Sequence, residues 1–371
     1  MKQNPKKEKR IFLLSLLGRG GTYHTTVQFS SALTKYYDTY ALIPSYSNTK
    51  DISKKVNLMK INAPPNTLKT IFLSLNIFRH IKTICQINSC NPDIIDIMDI
   101  HPWYILYWPF LRANKKVVTI NDPELHSGEG GIITKFILRT ITRFLLKRAD
   151  SIIVLGKKQE DIVRKSGYRQ KIIVSRLGHY GFLAKKKSQV KLEPKTILFF
   201  GRIRDYKGLS YLLDALIELK VESKEKKEFK LMIVGDGDLT SYASQLKKLG
   251  DQVEIYNKFI ADDEIAPYFE RASFIVLPYT DATQTGIVPV AYSFKKAVIA
   301  TTVGSLPEVV INEKTGIIVP PKNSRLLGKA ILSLLKNSAK AKTMGNNGYQ
   351  FMKKELDWDT IVKKLLKELE P

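Results

Sequence analysis

Short apolar runs alternate along this chain with longer stretches in which apolar side chains return every three or four residues. The first kind reads as buried strand and the second as amphipathic helix. Arg10 to Leu17 opens the series as a buried-type strand, followed by the glycine-rich turn Gly18-Arg19-Gly20-Gly21. Thr25 to Tyr36 is expected as a helix with Val27, Ala32 and Leu33 on its apolar side. Further strands are expected at Tyr40 to Ile43, Ile94 to Met98, Val117 to Ile120, Ile152 to Val154 and Ile172 to Val174. The periodicity lapses over the charged stretch Ala184-Lys185-Lys186-Lys187-Ser188-Gln189. It resumes with strands expected at Ile197 to Phe200, Leu231 to Val234, Val253 to Tyr256, Phe274 to Leu277, Ala297 to Ala300 and Gly316 to Val319. The tail, Trp358 to Leu369, reads as a helix with Ile361, Val362, Leu365, Leu366 and Leu369 as its apolar stripe. Alternation of this kind predicts α/β architecture with mostly parallel, doubly wound sheets. The lapse predicts two such domains, 1–184 and 185–350, facing across a cleft, with a closing segment 351–371.

Length agrees with that division, since 371 residues suffice for roughly two domains whose cores need no metal or disulfide staple. Cys85 and Cys90 have no zinc-like partner motif and read as reduced thiols of a cytosolic protein. No metal site is expected. The run Ile11 to Leu17 is too short for a signal peptide and lacks a small-residue cleavage site. Trp103 to Leu111, the most lipophilic run, carries Pro109 and is about half of the ~20 residues a membrane span needs.

Charge adds more. A formal net charge of +25 predicts attraction to polyanions, whether nucleic acid, anionic lipid or phosphorylated substrate. Nucleic acid is not expected, because no helix-turn-helix, RNA-binding signature or basic strand with interleaved aromatics is present. Lys135, Arg139, Arg143 and Lys147 are spaced by four and share one side of a helix, with Phe136, Ile137, Ile141, Phe144 and Leu145 around the rest. An ordinary amphipathic helix has this pattern, and so does a helix lying on an anionic membrane, where each basic residue contributes about 1 kcal/mol. The net charge favours the membrane. Leu68 to Ile84, with Lys69, Arg79 and Lys82, is a second candidate patch.

The chemistry concentrates where strands hand over to helices. Gly201-Arg202-Ile203-Arg204-Asp205-Tyr206-Lys207-Gly208 follows one strand and opens a helix. Two cations and free backbone N–H groups at that turn make a seat for a diphosphate. A departing diphosphate gains charge, so cations fixed there stabilise the transition state more than the ground state. Thr285, Gly286 and Ile287 stand at a second helix start, with Gln284 before them and Pro289 in the first turn. Their N–H groups are first-turn donors suited to a phosphate, or an ordinary capped terminus with Thr283 or Thr285 as N-cap. Glu308, after Gly304-Ser305-Leu306-Pro307, reads as a sugar-hydroxyl ligand or as an acid favouring its own helix start. Asp236 and Asp238 read as a turn rather than a metal pair. In the first half, Gly20 and Gly21 read as a loop that lets backbone approach a substrate. The loop Asn121-Asp122-Pro123-Glu124-Leu125-His126 offers Asp122 and His126 to the cleft, and His101 ends a neighbouring strand.

With these motifs in order, the second half resembles the retaining GT-B glycosyltransferases of family 4. The resemblance rests on Gly201-Arg202 with Lys207-Gly208, Val234-Gly235-Asp236-Gly237, Val298-Ile299-Ala300 with Gly304, Pro307-Glu308, and Gly316 with Val319-Pro320. Weaker likenesses at Gly20-Gly21, at Val118 to Glu129 and in the Trp358 tail extend it over nearly the whole chain. It implies a nucleotide-sugar donor, transfer without metal or other cofactor, retained configuration, and a last helix crossing back to the first domain. It assigns Arg202 and Lys207 to the diphosphate as catalytic cations. It assigns Thr285, Gly286 and Ile287 to the donor as a backbone cradle, and Gly201, Gly235, Gln284 and Glu308 are further donor-side candidates. Gly20, Gly21, His101 and Asp122 fall on the acceptor side, with His126 as a further catalytic candidate. The family's two glutamates, seven residues apart, are absent, and Gln284 and Val290 stand near their places. The resulting expectation is a cytoplasmic enzyme, peripheral to the inner membrane face, that glycosylates a lipid-linked saccharide or other cell-surface glycan. The alternatives are a nucleotide-sugar epimerase, a phosphorylase-type GT-B enzyme, or a non-catalytic polyanion-binding protein.

Overall fold

A computed structural model describes residues 9–64, 67–121, 132–184, 188, 190–222 and 229–369. They fall into two compact units. The first comprises the described chain up to Gly178 together with the helix that begins at Trp358, and the second runs from His179 to Asp357. The division therefore lies six residues before the charged stretch, and residues 351–355 stay in the second unit, at the end of the helix Ser338–Glu355.

The first unit is built on seven strands, β1 Arg10–Leu14, β2 Asp38–Pro44, β3 Asn57–Ile61, β4 Ile94–Ile97, β5 Lys115–Ile120, β6 Ser151–Val154 and β7 Lys171–Val174. They lie in the order β3-β2-β1-β4-β5-β6-β7, and every pairing is parallel. Alternate residues of β1 serve opposite faces, as the pleat requires. Ile11 and Leu13 join a core with Val27 and Leu33 of the helix Gly20–Leu33, while Phe12 and Leu14 join one with Tyr104, Trp108 and Leu145. The final helix, Trp358–Leu369, buries Trp358, Val362 and Leu365 in the first of these cores. Trp358 lies against Phe29, and Asp359 accepts hydrogen bonds from Lys35 Nζ at 3.0 Å and Tyr36 OH at 2.8 Å.

The second unit has six strands, β8 Thr196–Phe200, β9 Lys230–Val234, β10 Val253–Tyr256, β11 Phe274–Leu277, β12 Ala297–Thr301 and β13 Gly316–Val319. Their order is β10-β9-β8-β11-β12-β13, again all parallel. Ile197, Phe199, Leu231, Ile233 and Phe274 share one core with the helix Leu209–Glu222. Among the described residues no helix is long and apolar enough to cross a membrane.

Candidate functional site

In the second sheet the winding reverses at β8, which is flanked by β9 and β11. The crevice outside the carboxyl ends of strands at such a reversal is where open α/β sheets take ligands. Three strand ends meet there. After β8 the chain passes through Gly201, at φ +114°, and a single 3₁₀ turn, Asp205–Lys207, closed by Gly208 at φ +68°. A Cβ on Gly208 would lie 1.9 Å from the Pro278 carbonyl oxygen, so only glycine lets the loops after β8 and β11 close on each other. Thr280 N–H then donates to the Tyr206 carbonyl at 2.8 Å.

This closure sets Lys207. Its Nζ donates to Tyr279 OH at 2.9 Å and stands 4.6 Å from the centroid of that buried ring. The ammonium is folded back over the turn, 3.4 Å from where a Gly201 Cβ would be. The Tyr279 carbonyl in turn accepts from Thr301 Oγ1, at the end of β12, at 2.7 Å. Gly235, at φ +141°, packs under the same turn, since its Cβ would lie 2.2 Å from the Gly201 carbonyl oxygen. Gly201, Gly235 and Lys207 are thus brought together. Arg202 is exposed at the mouth of the turn.

A second group forms beside the end of β12. Gly304, at φ +53°, lets this loop pass against the Ala282 and Thr283 carbonyls, and Ser305 N–H donates to Thr283 O at 2.8 Å. Two buried acceptors on these loops, Gln284 Oε1 and Ser305 Oγ, have no hydrogen-bond partner. The helix that follows is short, Ile287–Ser293. The Ile287 N–H is not open to a ligand, because Thr285 Oγ1 accepts it at 3.2 Å. Gly286 lies against the Tyr180 ring. Glu308 is half-buried in the helix Leu306–Val309, its N–H donating to Ser305 O at 3.1 Å. Val290, near the place of a family glutamate, is buried on the Ile287–Ser293 helix.

The first sheet reverses at β1, between β2 and β4, and its strand ends are tied by a carboxylate. Asp99 accepts from Ser15 Oγ at 2.8 Å, Leu17 N–H at 2.8 Å and Tyr104 OH at 2.9 Å. Burial pushes its carboxyl up to about 6, with those hydrogen bonds opposing. It thereby anchors the approach to the glycine turn. Gly20, at φ +76°, starts the Gly20–Leu33 helix with open space around its Cα, and Gly21 is exposed. His101 does not face outward as expected. It is buried against Trp103 and Tyr104, and its Nδ1 accepts the Trp103 N–H at 3.2 Å. Burial holds the ring neutral by lowering its pKa to about 4. Asp122 and His126 lie outside the described residues. Asn121 donates to Thr22 Oγ1 at 3.0 Å, joining the end of β5 to the first turn of the Gly20–Leu33 helix. Tyr279 and Asp99 had no signal in the sequence, since their partners are distant along the chain.

Residues 183–351, most of the second unit, match the family described as Glycosyl transferases group 1. An uncharacterised glycosyltransferase of Methanocaldococcus jannaschii is 28% identical over 252 residues, which cover 64% of this chain and 64% of that protein. The chain thus matches a little under two thirds of that relative's length. Two solved structures share the fold from end to end. Sucrose-phosphate synthase from Thermosynechococcus elongatus superposes with a TM-score of 0.77 at 20% identity, covering 97% of this chain and 99% of that one. Anabaena Alr3699/HepE in complex with UDP-glucose gives 0.71 at 17% identity, with the same coverage. These likenesses show two Rossmann-like domains with parallel sheets, the GT-B fold.

Proposed function

We propose that this chain moves a sugar from a nucleotide-sugar donor onto a lipid-linked saccharide or other cell-surface glycan, without a metal ion and with configuration retained. The observation that carries the proposal is the Lys207 ammonium, clamped by Tyr279 over the Gly201 turn at the strand reversal, with Arg202 exposed on the same turn. A fixed cation there stabilises charge that appears only as the leaving diphosphate departs. The UDP-glucose bound by the Anabaena neighbour supports a nucleotide sugar as donor. In the proposed step the anomeric carbon–phosphate-oxygen bond breaks while the acceptor hydroxyl bonds to that carbon from the same face. The hydroxyl proton passes to the leaving diphosphate oxygen.

Gln284 Oε1, buried and unpartnered, is an acceptor that a sugar hydroxyl would satisfy. Apolar and buried Val290 takes no part in holding the ribose. Glu308 and the Thr285-Gly286-Ile287 loop complete the proposed donor side, with the Ile287 N–H already taken by Thr285 Oγ1. Gly20, Gly21, Asp122 and His126 are proposed on the acceptor side from the sequence. Peripheral attachment to the inner face of a membrane through Lys135, Arg139, Arg143 and Lys147 belongs to the same proposal. Arg139, Arg143 and Lys147 are exposed on the helix Ile132–Lys147.

The test is product analysis with UDP-glucose and other sugar nucleotides, each with and without a lipid-linked saccharide. Acceptor-dependent release of nucleoside diphosphate with an α-linked product from an α-linked donor is expected. An epimerised nucleotide sugar formed without acceptor, or a free sugar phosphate, would place the enzyme in a rival class.

A further inference from the structure

The helices Thr67–Ser74 and Ile77–Ser89 of the first unit meet at a bend whose outer side is apolar. Phe72 is 73% exposed, Leu75 77%, Phe78 82%, Ile77 51% and Ile81 50%. The inner side of the second helix buries His80, Thr83 and Ile87, with Ile84 packed against the same core. His80 Nδ1 is hydrogen-bonded to Tyr107 OH at 2.9 Å, and Trp103 Nε1 donates to Ser74 Oγ at 2.7 Å. Single exposed apolar residues are ordinary, whereas a contiguous group of this size marks a surface that meets a partner.

Charge identifies the partner. Residues 52–92 contain six Lys or Arg and no Asp or Glu. Residues 100–121 contain three and none, and residues 130–149 contain five and none. These stretches supply the helices that share the core around Trp103, Tyr107 and Leu145. These helices offer exposed cations, among them Lys82, Arg139 and Lys147, and no carboxylate, whereas the helix Lys157–Lys165, which also reaches this core, adds Glu160 and exposed Asp161. Apolar side chains projecting from helices that carry cations and no acid suit an anionic lipid bilayer, where apolar burial and headgroup attraction act together.

We propose that the bend between these two helices inserts Phe72, Leu75 and Phe78 into the headgroup–acyl boundary of an anionic membrane. The inference adds an apolar anchor to the basic helix of the preceding proposal. It concerns binding alone, so it stands or falls independently of sugar transfer.

The experiment is cosedimentation of the full chain with vesicles of mixed phosphatidylglycerol and phosphatidylcholine, without any sugar nucleotide. Wild-type protein is expected to bind, and to bind less at high salt. The triple variant Phe72→Ser, Leu75→Ser, Phe78→Ser, whose changes are all at exposed positions, should keep its circular dichroism and melting temperature. It should partition at least about a hundredfold more weakly, since each apolar side chain returned to water loses about tenfold. As a second reading, Phe78→Trp should be quenched by brominated phosphatidylcholine in the same vesicles. Unchanged vesicle binding by the triple variant, an unquenched tryptophan, or absence of wild-type binding would overturn the inference. Self-association that the triple variant abolishes, with no binding to vesicles, would overturn it in favour of a second copy of the chain.

Discussion

Lys207 carries the proposed chemistry, and its place depends on Tyr279, 72 residues further along the chain. The tyrosine contributes a hydroxyl acceptor and a ring face, and Tyr279→Phe separates them. Loss of one hydrogen bond of about 0.5–1.5 kcal/mol should lower turnover roughly threefold to tenfold while the ring still faces the ammonium. In a Lys207→Ala background the same change should have no further effect, as steady-state kinetics of the double-mutant cycle will show. Equal additive losses in both backgrounds would mean that the tyrosine acts elsewhere. The two cations were legible in the sequence because glycines bracket them between a strand and a helix. The tyrosine that holds Lys207 was not, because the contact arises only when the parallel sheet sets β8 beside β11. The reading of His101 failed for a related reason. A strand end aims a side chain outward only if the next residues allow it, and Trp103 and Tyr104 fold back over this one.

Most strands were legible as elements because those of a parallel sheet covered on both faces read as continuous apolar runs. β3 was missed. It is an edge strand whose Asn57, Leu58 and Lys60 are exposed, so it carries neither an apolar run nor a clean alternation. The first helix starts at Gly20, five residues before the expected Thr25, because its opening turn is glycine and threonine rather than apolar. β4 contains the opposite surprise, a fully buried Asp96 in the middle of the sheet. Its carboxylate accepts from Thr119 Oγ1 at 2.9 Å, and burial nevertheless pushes its pKa up to about 7. The native state therefore holds this proton more tightly than the unfolded chain, whose carboxyl titrates near 3.8. The stabilising contribution is complete below that value and is lost as pH rises towards 7, at no more than about 1.4 kcal/mol per pH unit. Asp96→Asn, neutral throughout, removes the dependence. Urea unfolding should show the variant gaining on wild type between pH 5 and 7 and then holding level. A difference that does not change with pH would mean that Asp96 is ionised in the fold.

At the scale of the whole molecule, two all-parallel sheets each contain a strand reversal, and at the second Lys207 is held by Tyr279 over the glycine turn. The first fills its reversal with the buried Asp99 and its donors. A net charge of +25 is shared by the whole chain and selects no site by itself. The glycines that interlock three loops around Lys207 do. The central claim is that Lys207 and Arg202 stabilise the departing diphosphate, and the most direct measurement is the turnover number for donor cleavage at saturating sugar nucleotide. Lys207→Ala and Arg202→Ala, each shown by thermal melting to be folded, should each lose on the order of 3 kcal/mol of barrier lowering, about a hundredfold in rate. Turnover within a factor of about two of wild type in both variants, at saturating donor, would contradict the claim.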